Sequence, residues 1–567
     1  SVASLCFAQE ENTRTLSPYF FVQSDDPATD RMPLKATEAS VSIAGVIADV
    51  RVTQVYKNEG RRPIEAVYVF PGSTRAAVYG MKMTIGKRVI EAQINRRDEA
   101  RKIYEQARDA GKSASLLEQH RPNVFQMNVA NILPGDEIRV ELKYTELLIP
   151  TDRIYEFVYP TVVGPRYAGR GGPGKETSDW TANPYLKQGE ASPATFDLAL
   201  SLAAGMPVGE VSCPSHKVTT TFASADRVSI RLDKKDGGGA NRDFILRYRL
   251  AGDRIAGGLL LHEGQKENFF ALMVQPPQKI ATADIPGREY IFIVDVSGSM
   301  HGFPLDISKK LLADLIGNLR PSDTFNVLLF SGGSTLLAEE SLPATRGNIQ
   351  KAISVIERQR GGGGTELLPA LQRALDLPRL EGSSRTMVMV TDGYVSVEEE
   401  AFDLIRANLG KANLFAFGIG SSVNRHLIEG MARVGMGEPF VLTDPKTAAA
   451  EAARFRKMID RPVLAQIEVR FDGFETYDVE PQAVPDVLAE RPVIVFGKWR
   501  GKPQGTITLR GATGTGQYSE SLAVSDFKPS KDAAALKYLW ARHRIALLSD
   551  YNSLRHNAKR VEDITRL

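Results

Sequence analysis

At 567 residues the chain is too long for one domain and leads us to expect three or four; 43% hydrophobic and 25% charged residues are ordinary for folded globular protein. A formal net charge of +3 is nearly balanced and argues against nucleic acid or a membrane surface as a general partner. Two cysteines, Cys6 and Cys213, exclude a disulfide framework and are too few and too far apart for a thiolate zinc site, and no uninterrupted apolar run reaches the length of a spanning helix.

The first 32 residues read as a processed leader. Ser1-Val2-Ala3-Ser4-Leu5-Cys6-Phe7-Ala8 resembles the tail of a secretory signal, with Cys6 and Ala8 as the small residues before a cleavage point; the alternative is a disordered tail. From 9 to 32 the sequence is polar with Pro18 and Pro27 and predicts a loose segment. The expectation is an exported protein of the cell envelope, periplasm or extracellular space.

The next unit spans 33–150. Ala39-Ser40-Val41-Ser42-Ile43 and the stretch 47–56 alternate apolar and polar residues, the period of half-buried antiparallel strands. Four segments keep order and spacing: Pro63-Ile64-Glu65-Ala66-Val67-Tyr68-Val69-Phe70-Pro71, Ala100-Arg101-Lys102-Ile103-Tyr104-Glu105, the stretch 117–125 with Arg121-Pro122-Asn123, and Ile132-Leu133-Pro134-Gly135-Asp136. On these residues the unit resembles the vault protein inter-alpha-trypsin (VIT) domain. That resemblance implies a β-rich sandwich with one short helix, here over 97–110. Its charges read as a solvated helix face, and Glu118 and Arg121 as loop braces.

A β-rich region follows over 151–287, with a Gly- and Pro-rich loop at 168–188 and strands near 194–202, 218–223, 228–232, 244–250 and 269–275.

The residues 288–460 carry the chemistry. Apolar runs at 290–295, 324–330, 386–391, 413–419 and 439–442 alternate with helical segments near 305–319, 348–358, 366–375, 397–409 and 424–434. Continuous apolar strands alternating with helices predict a doubly wound, Rossmann-like sheet buried on both faces. The first run ends in Asp295-Val296-Ser297-Gly298-Ser299, an Asp-x-Ser-x-Ser pattern at the carboxyl end of a buried strand, where open α/β sheets bind ligands. Alone, this pattern also suits an ordinary turn capping the next helix. Thr365 follows Gly361-Gly362-Gly363-Gly364, and Thr391-Asp392-Gly393 closes another buried strand. Asp295, Ser297, Ser299, Thr365 and Asp392 together resemble the metal-ion-dependent adhesion site of von Willebrand factor type A (vWA) domains. Oxygen donors without nitrogen or sulfur suit Mg²⁺ or Mn²⁺. The resemblance implies that Ser297, Ser299 and Thr365 touch the ion, that Asp295 and Asp392 hold it mainly through water, and that a partner protein supplies a Glu or Asp carboxylate. The four glycines permit loop movement around Thr365, or mark a plain linker. His301 reads as a solvent-facing loop residue.

After the vWA region, strands are expected near 463–471, 492–499, 505–510 and 518–524, giving a second β-rich part over 461–527. The vWA region is then an insertion into one sandwich whose strands come from both sides; the alternative is two separate sandwiches. A C-terminal helical segment over 528–567 holds an amphipathic helix at 533–548 with Leu536, Leu539, Trp540 and Ile545 near one face.

This domain order resembles the heavy chains of inter-alpha-trypsin inhibitor and, more closely, bacterial envelope proteins of the marine sortase target-like kind. Relatives of that kind often continue past the motif at 561–567 into an anchor, so a membrane or cell-wall anchor beyond this chain is an expectation. Heavy chains join hyaluronan after cleavage at Asp-Pro-His-Phe; this sequence reads Asp444-Pro445-Lys446-Thr447, so covalent glycan transfer is not implied. No nucleophile elbow, phosphate-cradling loop or nucleotide fingerprint occurs, and no enzymatic activity is expected. The expected function is divalent-cation-dependent binding of protein partners. The alternatives are an envelope or matrix scaffold with a fold-stabilising ion, and an accessory subunit of an enzyme or transporter assembly.

Overall fold

A computed structural model describes residues 18–23, 32–72, 75–91, 117–121, 124–151, 153–161, 194–233, 242–250, 252, 254–277, 279–393, 399–420, 423–444, 446–489 and 492–567. The signal-like residues 1–8, the helix expected over 97–110 and the loop expected over 168–188 lie outside these. The described chain forms two units, one of residues 1–251 with 531–539, the other of 252–530 with 540–567.

In the first unit an eight-stranded sheet runs Val218–Ser224, Arg227–Leu232, Thr195–Ala203, Leu34–Ala44, Ile47–Lys57, Glu137–Leu147, Ala76–Ile85, Arg88–Glu91. Alternation sets its faces: Val41, Ile43, Val50, Val52, Val140 and Leu142 are buried, while Ser40, Arg51 and Arg139 are exposed. A second sheet runs Tyr19–Gln23, Ile64–Pro71, Val124–Ile132, Leu117–Arg121, and a third runs Tyr155–Tyr159, Phe244–Leu250, Val208–Ser212.

Two expectations are corrected here. Tyr19–Gln23 is not loose leader: it pairs antiparallel with Ile64–Pro71, and buried Phe20 meets Tyr56 and Tyr68 edge-on at centroid distances of 4.9 and 5.0 Å. The strands within 195–250 do not share a sandwich with those after residue 461. Thr195–Ala203 lies parallel to Leu34–Ala44, with Leu198 opposite Ala39, so these strands complete the first unit.

The insertion is nonetheless present, on narrower terms. In the second unit Ala256–Glu263 and Asn268–Gln275 pair with Val493–Trp499 and Thr476–Glu480 in one sheet. The other sheet holds Val487–Leu488, Pro462–Asp472, Thr506–Thr513 and Gly516–Ala523. Phe270, Leu272, Val463, Leu464, Val495, Trp499 and Ile507 fill the core between them. One sandwich is thus built from strands on both sides of the α/β domain. Arg288 and Asp460 join the two ends of the insertion: the guanidinium donates to the Asp460 carbonyl at 2.9 Å and to its carboxylate at 3.1 Å, and holds Asp323 through Nε and Nη2.

The inserted domain comprises, in chain order, β1 (Arg288–Asp295), α1 (Phe303–Gly317), β2 (Thr324–Phe330), α2 (Arg346–Glu357), α3 (Leu367–Leu375), β3 (Ser384–Thr391), α4 (Glu399–Ala407), β4 (Asn413–Ile419), α5 (Arg425–Val434), β5 (Phe440–Leu442) and α6 (Ala448–Ile459). Its parallel strands lie in the order β2-β1-β3-β4-β5, with the short antiparallel strand Ser334–Leu336 outside β2. Every residue of β1 and β3 is buried, which is why their interiors, 290–294 and 387–390, read as apolar runs. Tyr290, Phe292 and Val294 point into a core with α1, α2 and α6; Ile291 and Ile293 point into the opposite core with α3, α4 and α5. The C-terminal helix Leu536–Leu554 adds Leu547 and Tyr551 to that second core, and Ile545 is half-buried. No described helix is long and apolar enough to cross a membrane.

Candidate metal site at the carboxyl edge of the inserted sheet

The chain leaves β1 to one side for β2 and later returns on the other side as β3. The crevice between the carboxyl ends of β1 and β3 is therefore the topological switch point of the sheet, where doubly wound folds bind ligands. Val294 pairs with Val390, so the residues that follow, Asp295 and Thr391, end the two strands side by side.

Asp295 is fully buried and held at both oxygens. Oδ1 accepts from the Ser297 amide at 2.9 Å, and Oδ2 accepts from the Thr391 hydroxyl at 2.7 Å. The Thr391 oxygen in turn accepts from the Gly393 amide at 3.1 Å. The Ser297 and Ser299 hydroxyls lie 3.2 Å apart; Ser297 is buried and Ser299 exposed, so the cluster opens to solvent on one side. Asp392 is buried, and its carbonyl accepts from the amide of Asn424, the residue that caps α5 through its side chain.

The glycine loop is docked against this cluster. Gly298 N donates to Gly363 O at 3.2 Å and Gly362 N to Val296 O at 3.0 Å. On the other side the Glu366 amide donates to Ser331 O at 2.8 Å, which fixes the segment carrying half-buried Thr365. Gly361 has φ +76, and a Cβ there would stand 2.9 Å from the His301 Cα. Close backbone approach thus demands glycine at this position. His301 is exposed, with Nδ1 2.7 Å from the Arg360 carbonyl.

Burial pushes the Asp295 carboxyl above its ordinary range. Its bonds to the Ser297 side chain, the Ser297 amide and Thr391 offset part of that, and the nearby Asp392 charge raises it further. Two buried carboxylates beside hydroxyl oxygens form a donor set that fits a hard dication, whose charge would relieve both effects. Among the described residues, no group of three or more His, Cys, Asp or Glu is placed to hold a metal, so hydroxyl oxygens have to complete such a site.

Sequence reasoning missed two residues. Thr391 was read only as the end of a strand, yet it clamps Asp295. Asn424 ties the Asp392 segment to α5, with its side-chain amide 3.4 Å from Gly393 O. An Asn opening a helix straight after a buried strand and loop was the available signal.

Residues 34–144 match the family model of the vault protein inter-alpha-trypsin domain, and residues 288–439 that of the von Willebrand factor type A domain. The von Willebrand factor A domain-containing protein 5A of Rattus norvegicus is 26% identical over 542 residues, covering 89% of this chain. The alignment spans 64% of that protein's length. A mono-ADP-ribosyltransferase of Mus musculus, PARP4, is 25% identical over 417 residues, covering 73% of this chain and 21% of that one. Among solved structures, a von Willebrand factor type A protein from Catenulispora acidiphila covers 55% of this chain and 89% of its own, at 13% identity and a TM-score of 0.39.

Proposed function

Starting from a chain that carries a VIT domain followed by a vWA domain, we propose that it binds protein partners through a divalent cation held in the vWA domain. A vWA domain by itself suggests protein–protein interaction or adhesion. The finer reading assigns Mg²⁺ or Mn²⁺ to Asp295, Ser297, Ser299, Thr365 and Asp392. It is carried by one observation: buried Asp295 is clamped between Ser297 and Thr391, at the switch point, beneath the exposed hydroxyl of Ser299.

When bound, the ion supplies an electrophilic centre able to take an outside carboxylate. Neutral hydroxyl donors leave more of its charge for that ligand than a carboxylate cage would. The chain's own residues orient and exclude: Thr391 fixes the Asp295 rotamer, and the loop 361–364 walls one side. The partner is then a protein that presents Glu or Asp. Binding, rather than catalysis, is the activity proposed, and an exported location belongs to the same proposal, to be checked by cell fractionation.

The test is a pull-down from envelope and extracellular extract in Mg²⁺ or Mn²⁺, repeated in EDTA, beside a folded Asp295→Ala variant. A partner kept only by the unmodified chain with metal supports the reading. Equal retention in all three moves binding to the β-rich parts and leaves the ion a structural role.

A further inference from the structure

The host sandwich drives a wedge into the base of the inserted domain. The stretch Glu480–Ala489 leaves one sheet of the sandwich at Glu480 and forms the short strand Val487–Leu488 of the other. Val484 to Ala489 are all buried. The side chains of this stretch serve three cores. Val484, Val487 and Ala489 belong to the sandwich, Leu488 joins Phe292 and Val388 in the first core of the inserted domain, and Ala483 packs against the second.

The polar groups of the wedge find their partners at the same place. Asn413, the first residue of β4, donates through its side chain to Asp486 Oδ2 at 2.9 Å, and the Asp486 amide donates back to Asn413 Oδ1 at 2.9 Å. The other carboxylate oxygen of Asp486 accepts from the Gln466 amide at 3.0 Å. That amide is aimed at Asp486 because the strand Pro462–Asp472 shifts register between Ala465 and Glu468, with Gln466 at φ +56. The Gln466 side chain reaches the Ser383 carbonyl at 3.3 Å, and the Ser384 side chain at the start of β3 also bonds Asp486. At the other end of the wedge Glu480 accepts from Arg406 of α4 at 2.5 Å. Ser384 and Asn413 lie at the amino edge of the inserted sheet, opposite the end that carries Asp295 and Thr391.

A domain joined by two chain crossings is expected to swing on them unless a substantial apolar interface holds it. Here apolar side chains of one short stretch enter both cores of the inserted domain. The buried polar groups beside them are bonded across the joint, and a satisfied buried network fixes one arrangement. We propose that Glu480–Ala489 locks the inserted α/β domain to its host sandwich, so that the two move as one rigid body. The edge carrying Asp295 then keeps a single orientation on the sandwich, and a load taken there passes directly into it. The lock holds whether or not a cation is bound.

Double electron–electron resonance on the full chain, in EDTA, tests it. Spin labels are placed through Lys351→Cys on α2 and Arg510→Cys on the sandwich strand Thr506–Thr513, both exposed positions, with Cys6 and Cys213 replaced by serine. The expected result is one narrow distance distribution. Asp486→Asn turns an amide N–H toward the donor of either Asn413 or Gln466, and Asn413→Asp sets two carboxylates face to face. Each is expected to broaden the distribution while circular dichroism stays unchanged. Combining Asn413→Asp with Asp486→Asn restores the paired contact in reverse and is expected to restore the narrow distance. A broad distribution in the labelled chain without these substitutions overturns the proposal. So does a narrow one that survives both single substitutions, or a broadening that the combined exchange fails to reverse.

Discussion

Asp295 is a carboxylate placed where ionisation is costly, in the interior and beside Asp392, yet bonded as if it were to be charged. Its folded pKa lies above the unfolded value of about 3.9. Between those two values the metal-free folded state binds more protons than the unfolded chain, so its stability falls as pH rises through that window. A cation competes with that proton. The rise in melting temperature on adding Mg²⁺ is therefore expected to be greatest near neutrality and to vanish in acid; scanning fluorimetry with and without metal reads it, and a pH-independent rise contradicts the assignment. Thr391 acts through Asp295, so Thr391→Val is expected to weaken Mn²⁺ binding about 10–100-fold while Thr391→Ser retains it. An affinity unchanged in the Val variant would remove Thr391 from the site. Of the five proposed ligands, Asp295, Ser297, Ser299 and Asp392 were legible because oxygen-rich patterns ended buried strands, and Thr365 because it follows four glycines. The clamp was not, since a threonine that closes a strand looks like strand propensity until its neighbour across the sheet is known.

At the scale of elements, the strands of the inserted domain read clearly because burial on both faces leaves their interiors almost wholly apolar, buried Asn326 in β2 being an exception. The ends are another matter. Arg385 at the start of β3 donates to Glu289 in β1 at 2.7 and 3.0 Å, and both are buried. Charges at strand starts read as solvent boundaries, yet here they are interior partners. Arg385→Met would strand the Glu289 carboxylate and is expected to cost about 3–5 kcal/mol in urea unfolding, whereas Met at 385 with Leu at 289 is expected to cost far less. Equal losses in both would mean the pair itself, not the orphaned charge, sets the stability. Helix α6 escaped the reading because two of its four buried residues, Ala448 and Ala452, are alanines, and only Phe455 and Ile459 carry strong apolar signal. Tyr19–Gln23 escaped because a five-residue strand is defined by its partner at Ile64–Pro71, some forty positions away.

For the whole molecule, domain order was legible from the switch in periodicity, from two in the VIT region to strand–helix alternation after residue 288. Strand partnership across the insertion was not. Thr195–Ala203 and Asn268–Gln275 carry similar apolar content, yet one pairs with Leu34–Ala44 and the other with Val493–Trp499. The first alternates exposed and buried residues and the second is almost wholly buried, but neither pattern names a partner. The inserted domain also draws on chain far beyond its own limits. Leu547 is 3% exposed in its second core, and Arg433 bonds Asp550 at 2.6 Å. Leu547→Ala is expected to lower the stability of the second unit by about 2–5 kcal/mol; a loss near zero would mean the C-terminal helix is no part of that core. The metal site is the claim on which the functional account turns, and Mn²⁺ titration followed by electron paramagnetic resonance tests it most directly. The account predicts one bound ion per chain, displaced by Mg²⁺ and lost in Asp295→Ala without change in circular dichroism. An Asp295→Ala variant that binds Mn²⁺ as the unmodified chain does would contradict it.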